Sequence, residues 1–371
     1  MRIAYVINSV EGGGAALPVP AVARVLSDYG ANVKILALTR RDGRAIPAMA
    51  DAGLTLRVRD GGETDHLVAA AWLDRQMTAL RPDILWTSLT RATLIGQLVG
   101  ARRRIPVVSW QHNAYLKPAN LALLRATQRL TALWVGDSES VTDLTRQRLG
   151  IEPTRLATWP LFSADPQAPQ ARPWRPGETL QLGTLGRLHP AKGYDVLIAA
   201  LQHLSAQGFT PPAPFSVRIA GEGAERGRLE VQLSAAGLPN LEIAGFTARP
   251  RDFLASLHLY LQPSRREGLC IAAHEAMQAG LPVIVSDVGE MPRSILPGIS
   301  GLVTPSQDPK ALAAALAQLL ANPPALASMG AASRQNVLRR FGPGLFERAG
   351  GEVMGRVAKL GRSAAGLGGT L

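Results

Sequence analysis

The chain holds one cysteine, Cys270, among 371 residues. A lone thiol excludes an internal disulfide and suits a reducing, cytoplasmic setting. Long apolar runs are also lacking: none reaches the ~18 residues that a membrane-spanning helix requires. The start of the chain does not read as a secretory leader, because apolar residues 3–7 are followed at once by polar Asn8 and Ser9 and fit a first strand. Aromatic residues make up only 5%. They form no clusters interleaved with basic residues of the kind that bind single strands, so nucleic acid is not an expected partner. Three further signatures are missing: paired Cys/His spacing for zinc, a DxD-like acidic pair for a divalent cation, and a GxSxG elbow.

The residues that are present describe a globular α/β chain. Its length is too great for one ordinary core, so two domains are expected. Hydrophobic residues make up 46% and the mean hydropathy is +0.07. The net charge is +12 and the pI about 10.7, a balance that favours anionic partners. Of the 40 basic residues 35 are Arg, and the longest basic run is Arg102, Arg103 and Arg104. In the first half, strand-like runs at 3–7, 33–38, 84–87, 107–110 and 133–135 alternate with helix-like stretches at 16–29, 65–80, 90–100, 119–130 and 138–149. The second half repeats the style. Its strands are expected at 180–185, 216–220, 241–243, 257–261, 282–286 and 301–303, its helices at 194–207, 224–236, 249–256, 270–279, 309–321 and 324–341. Such alternation means βαβ units and two doubly wound, Rossmann-like domains with parallel sheets. The expected boundaries are 1–160 for the first domain and 178–344 for the second. A linker at 161–177, lying within a stretch of five prolines, joins them, and a cleft is expected between the domains where the strands end. A last helix at about 345–360 is a candidate to pack back on the first domain, and the Gly-rich residues 361–371 read as a flexible tail.

Several places can carry chemistry. Gly12, Gly13 and Gly14 follow the first strand; they fit either a plain tight turn or a phosphate approach to the backbone ahead of a helix. Arg187 and Lys192 stand five positions apart between a strand and a helix, with Gly186 at the turn. They read as a pyrophosphate-flanking pair or as solvated surface charges. In the stretch 264–290, Glu267 precedes a helix and can meet sugar hydroxyls. The backbone N–H groups of Gly268, Leu269 and Cys270 are the orphan donors of that helix start. Glu275, in the second turn, can accept both hydroxyls of a ribose, although a Glu pair at this spacing is more often surface charge. Cys270 has no partner His placed by the sequence and reads as a small apolar residue. His112 follows the strand at 107–110 and is a candidate for the cleft or a structural histidine. Asp137 and Ser138 read first as a helix cap.

With these residues in view the chain resembles a retaining glycosyltransferase of family 4, with the GT-B fold, over nearly its whole length. Glu267 and Glu275 match the family's EX₇E signature, and residues 276–290 match the AMxxGxPVIxSDVGE continuation. Arg187 and Lys192 match its GRLxxxKG loop, Gly221-Glu222-Gly223 its GxG turn, and Gly13-Gly14 its N-terminal GG. The resemblance implies Rossmann-like domains facing across a cleft, the first handling the acceptor and the second the nucleotide-sugar donor. It implies that Arg187 and Lys192 hold the donor diphosphate, Glu267 the transferred sugar, Glu275 the ribose, and that Gly14 approaches the phosphates while His112 lies near the donor sugar. It implies hexose transfer from a nucleotide-diphosphate sugar, with retention, to a glycan or polyprenyl-linked acceptor. Neither a metal ion nor another cofactor is implied. Ala15-Ala16 stand where AE often follows the GG, and residues 158–165, TWPLFSAD, stand where the family has Asn-Gly. Both departures fall on the acceptor side. The basic-apolar stretch with Lys117, Leu121, Leu123, Leu124, Arg125, Arg129 and Leu130 fits either a contact with the anionic inner face of the plasma membrane or an ordinary amphipathic helix. Two rival readings keep the fold: a nucleotide-sugar epimerase or hydrolase, and a catalytically silent sugar-nucleotide-binding subunit.

Overall fold

The computed structural model describes residues 1–113 and 115–366, the last five of these by backbone alone. The chain forms two compact units: Met1–Phe162 together with the chain from Gly344 onward, and Ser163–Pro343. In the first unit β1 (Arg2–Ser9), α1 (Val19–Asp28), β2 (Asn32–Thr39), α2 (Ile46–Asp51), β3 (Thr55–Val58), α3 (His66–Leu80), β4 (Ile84–Ser88), α4 (Thr90–Arg103), β5 (Val107–Gln111), α5 (Pro118–Thr127), β6 (Leu133–Gly136), α6 (Glu139–Leu149) and β7 (Leu156–Thr158) follow one another. Seven parallel strands lie in the order β3-β2-β1-β4-β5-β6-β7. Strands β4, β5 and β6 are buried along their whole length, as helices on both faces of a parallel sheet require. That burial explains why these strands read as continuous apolar runs. The edge strands β3 and β7 and the short helix α2 lack such runs and escape a reading by hydrophobic pattern.

The second unit contains β8 (Leu180–Leu185), α7 (Tyr194–Ala206), β9 (Phe215–Ala220), α8 (Arg226–Ala236), β10 (Leu241–Gly245), α9 (Pro250–Ala255), β11 (Leu259–Gln262), α10 (Ile271–Gln278), β12 (Val283–Ser286), α11 (Met291–Ser294), β13 (Gly301–Thr304), α12 (Pro309–Leu320) and α13 (Ala325–Phe341). Its six parallel strands take the order β10-β9-β8-β11-β12-β13. In each sheet the winding reverses once, between β1 and β4 and between β8 and β11. The strand ends beside such a reversal are where open α/β sheets bind ligands.

Three sequence expectations change. Helix α1 starts at Val19 rather than residue 16, because Pro18 caps it and Pro20 occupies its first turn. The proline-rich stretch expected as a linker is strapped to the second unit. Ala164 N–H donates to Phe341 O at 2.7 Å and Ala171 N–H to Ala279 O at 2.7 Å, Asp165 pairs with Arg251 at 2.9 Å, and Trp174 packs on the core of that unit. The last helix, α14 (Pro343–Gly366), is longer than expected, so 361–366 are helical and only 367–371 of the expected tail lie outside the described residues. Helix α14 packs within the first unit, where Phe346 meets Trp159 at 5.4 Å between ring centroids. A Cβ on Gly350 would overlap Trp159 and Val25, and one on Gly351 would overlap Tyr29. This close approach explains two adjacent glycines in a helix interior, where each costs about 1 kcal/mol of propensity.

Candidate functional site

Strands β8 and β11 flank the reversal of the second sheet, and the loops that leave them meet. Gly193 ends the first loop with φ +66°, and a Cβ there would overlap the carbonyl of Pro263 in the second. Only glycine combines this backbone conformation with so close an approach. Two further contacts fasten the loops: Arg265 N–H donates to Ala191 O at 2.8 Å, and the Arg265 guanidinium grips Asp195 in a fork of 2.6 and 2.7 Å. The result brings Lys192 and Glu267, 75 positions apart in the chain, to 2.7 Å between Nζ and Oε1.

Glu267 is fixed by more than Lys192. The same Oε1 accepts from Ser264 Oγ at 2.6 Å and from Gln262 Nε2 at 3.1 Å. Tyr260 OH donates to Gln262 Oε1 at 2.7 Å and accepts from Leu185 N–H at 3.3 Å, which ties the chain of bonds back to β8. Converging donors on one oxygen set the plane of a carboxylate and make its position a property of the fold. Burial works against the Lys192 ammonium, but the charge of Glu267 beside it outweighs this and holds Lys192 above its ordinary value. It is therefore a fixed cation, and it has two N–H groups beyond the one given to Glu267. Gly186 lies on the same loop, and a Cβ there would meet Tyr194 OH at 2.9 Å and Lys192 Cε at 3.5 Å. Arg187 is exposed on that loop, five positions before Lys192.

The start of α10 supplies the next groups. Among the described residues no hydrogen bond uses the N–H of Gly268, Leu269 or Cys270. Cys270 sits at φ +64°, in the left-handed region that favours glycine. Burial, with Glu267 beside it, pushes the Cys270 thiol up, away from nucleophilic character. Glu275 is half-buried one turn on; burial pushes its carboxyl up and Arg251 opposes this. His274, which the sequence reading passed over, anchors the helix. Its Nδ1 lies 3.0 Å from Cys270 O and its Nε2 2.9 Å from Ser294 Oγ, and burial pushes the imidazole down to about 4.

In the first unit the candidates are more dispersed. Gly13 O accepts from Ala16 and Leu17, each at 3.1 Å, so Gly13 and Gly14 belong to a turn that ends before α1 begins. Helix α1 begins at Val19, five positions after Gly14, so the turn does not lead directly into the helix. Gly12 N–H donates to Asp42 Oδ1 at 2.9 Å, and Arg41 bridges Glu11 at 2.6 Å and Glu63 at 2.7 Å across the same loop. His112 follows β5, with Nε2 2.6 Å from Ser88 Oγ. The pair read as one helix cap separates: Ser138 Oγ caps α6 by accepting from Val141 N–H at 3.2 Å, while Asp137 turns toward His112. Among the described residues no group of three or more His, Cys, Asp or Glu is placed to hold a metal ion.

Two family models match the chain, Glycosyltransferase Family 4 over residues 12–162 and Glycosyl transferases group 1 over residues 170–336. A D-inositol 3-phosphate glycosyltransferase of Thermobispora bispora is 25% identical, aligned over 89% of this chain and 86% of that protein. A lipopolysaccharide core biosynthesis mannosyltransferase of Rhizobium leguminosarum is 32% identical over 44% of this chain and 46% of its own length. Among solved structures, Anabaena Alr3699/HepE in complex with UDP-glucose superposes with a TM-score of 0.81 at 19% identity, over 96% of this chain and all of that one. A sucrose-phosphate synthase from Thermosynechococcus elongatus does so with a TM-score of 0.78 at 18% identity, over 97% and 99%.

Proposed function

We propose, for a chain that belongs to the family 4 glycosyltransferases and has their GT-B fold, that it moves a hexose from a nucleotide-diphosphate sugar to a hydroxyl of a glycan or lipid-linked sugar, with retention and without a metal ion. The observation that carries this reading is the half-buried Lys192–Glu267 contact of 2.7 Å at the reversal of the second sheet. A fixed cation stabilises the charge that develops on a departing diphosphate, and it does so without reorganising. Arg187, on the same loop, adds a second cation, and the unused N–H groups of Gly268, Leu269 and Cys270 offer donors to phosphate oxygens. Glu267 holds hydroxyls of the sugar and Glu275 those of the ribose; Gly14 and His112 are further candidates for contact with the donor. No carboxylate is assigned as a covalent nucleophile. The acceptor hydroxyl attacks on the face that the diphosphate leaves, and a phosphate oxygen takes its proton.

The relatives include a D-inositol 3-phosphate glycosyltransferase and a lipopolysaccharide core biosynthesis mannosyltransferase, and a glycan or polyprenyl-linked acceptor of bacterial polysaccharide or lipopolysaccharide fits that range. Among the described residues no single helix is long and apolar enough to cross a membrane. A peripheral contact with an anionic bilayer has support in one place: Leu123 and Leu130 are exposed beside Arg125 and Arg129, and Leu98 is exposed on α4, against which α5 packs. Flotation with anionic vesicles at low and high salt tests it, and failure to float at any salt would remove it.

Calorimetric titration with UDP-glucose and GDP-mannose tests donor binding, and the anomeric signal of the product by NMR tests retention. Binding that survives both Lys192→Ala and Glu267→Gln would overturn the site. Release of free nucleotide diphosphate at the full turnover rate without acceptor would favour an epimerase or hydrolase. Binding without any turnover would favour a silent subunit.

A further inference from the structure

At the C-terminal edge of the first sheet three neighbouring strands each deliver one polar side chain. Ser88 closes β4, His112 follows β5 and Asp137 follows β6. His112 Nε2 lies 2.6 Å from Ser88 Oγ. Its Nδ1 lies 3.7 Å from Asp137 Oδ2, and the two side chains are only 7% and 6% exposed. The imidazole stacks on Trp110 at 6.0 Å with an interplanar angle of 16°, and Trp110 stacks on Trp159 at 4.9 Å. The ring plane is therefore set by packing. Nδ1 is buried and makes no hydrogen bond.

We propose that Asp137 is a positioning residue that keeps the proton of His112 on Nδ1 and thereby makes Nε2 an obligate acceptor. A neutral imidazole carries one N–H, and the group facing each nitrogen decides where it sits. With the proton on Nε2, the Nδ1 lone pair would confront a carboxylate inside the protein, where such opposition is least screened. With the proton on Nδ1, the N–H points into the field of Asp137 and the Ser88 hydroxyl donates to Nε2. A separation of 3.7 Å is too long for a hydrogen bond, so Asp137 acts through its field. The consequence for substrate choice rests on the proposed contact between His112 and the donor sugar. An acceptor nitrogen takes a hydroxyl and has no proton to offer a carboxylate, so a neutral hexose is favoured over a hexuronate. Ser88 supplies the hydroxyl that such a sugar would replace.

The test is the nitrogen-15 spectrum of the histidine side chains at about pH 8, where an ordinary imidazole is neutral. The chain has six histidines, and the signals lost in His112→Gln assign the pair of interest. The wild-type protein is expected to show the proton on Nδ1, and Ser88→Ala to keep it there. Asp137→Leu is expected to move it to Nε2 in most molecules. Should Asp137→Leu not fold, Asp137→Asn preserves shape and offers an amide N–H to Nδ1, with the same expected reversal. A wild-type proton on Nε2, or a tautomer indifferent to position 137, would overturn the proposal. Because the spectrum requires no turnover, it stands or falls apart from the transfer reaction. A preference for UDP-glucose over UDP-glucuronate in KM, lost in the Asp137 variants, carries the inference to the substrate.

Discussion

The first βα loop of each sheet answers the same topological demand in a different way. After β8 the chain turns at Gly186, places Lys192 and enters α7 from Gly193, which is pressed against Pro263. After β1 it passes three glycines, closes a separate turn at Gly13 and reaches α1 only at Val19. The loop after β8 is locked by close backbone approach and a half-buried charge pair, the loop after β1 by ion pairs around Arg41. The proposed neutralisation of a departing diphosphate calls for fixed charges. A loop set among surface pairs is easier to vary.

The largest expected break in this contrast is Gly193→Ala. The new Cβ would meet a backbone carbonyl in a left-handed conformation, so a loss of about 4 kcal/mol or more is expected in denaturant unfolding. At Gly12 the added Cβ would meet only the flexible Arg44 side chain, at 3.1 Å, and Gly12→Ala is expected to cost less than about 1 kcal/mol. Equal losses at the two positions would remove the distinction. Next comes Lys192→Ala, expected to lower kcat/KM by roughly 10²–10³-fold, the usual cost of removing one preorganised charge stabiliser. Steady-state kinetics checks it, and Lys192→Arg should not restore full activity in a space bounded by Glu267, Gly186 and Tyr194.

Acid should act on the second unit through His274. Its folded value of about 4 lies below the ordinary 6.5, so the unfolded chain takes up the proton first. The stability it confers is complete above about pH 6.5 and falls by about 3 kcal/mol as the pH drops to 4. Urea unfolding across that window should show this slope, and His274→Gln should lack it. Glu275 gives a smaller and separate effect. Its raised carboxyl must be ionised to accept both ribose hydroxyls, so donor affinity should weaken on acidification sooner than an ordinary Glu would dictate. Titration calorimetry of wild type and Glu275→Gln from neutral to mildly acidic pH would expose the difference, and parallel profiles would remove Glu275 from the ribose. Smallest is Cys270→Gly, which relieves a left-handed φ of +64° and is expected to change stability by no more than about 1 kcal/mol.

The second unit was the more legible in sequence. Its site lies on two short loops, each carrying glycines, charges and a following helix within a few residues. The order β8 next to β11 cannot be seen in a linear pattern, so neither Lys192 touching Glu267 nor the role of Gln262 could be read. The only trace of Gln262 was a polar residue closing a buried strand. The association of Ser88, His112 and Asp137 was still less accessible, since each comes from a different strand and only the parallel register assembles them. The start of α1 was misread because small apolar residues continue the helical pattern through a proline that forbids it. The segment after Pro160 looked like a spacer because two of its straps are main-chain hydrogen bonds, which leave no mark on composition, and the Asp165–Arg251 pair joins residues far apart in the chain.

The return of α14 has a consequence for how the chain comes into being. The second unit is an insertion within the first, entered after Phe162 and left before Gly344. On the ribosome the seven-stranded sheet is complete long before Gly350 exists to pack on Trp159 and Val25. The inserted unit can close on itself in the meantime, since all its strands are contiguous. The order of synthesis therefore leaves the first unit with an uncovered aromatic face during its maturation, and α14 is the element that ends that exposure.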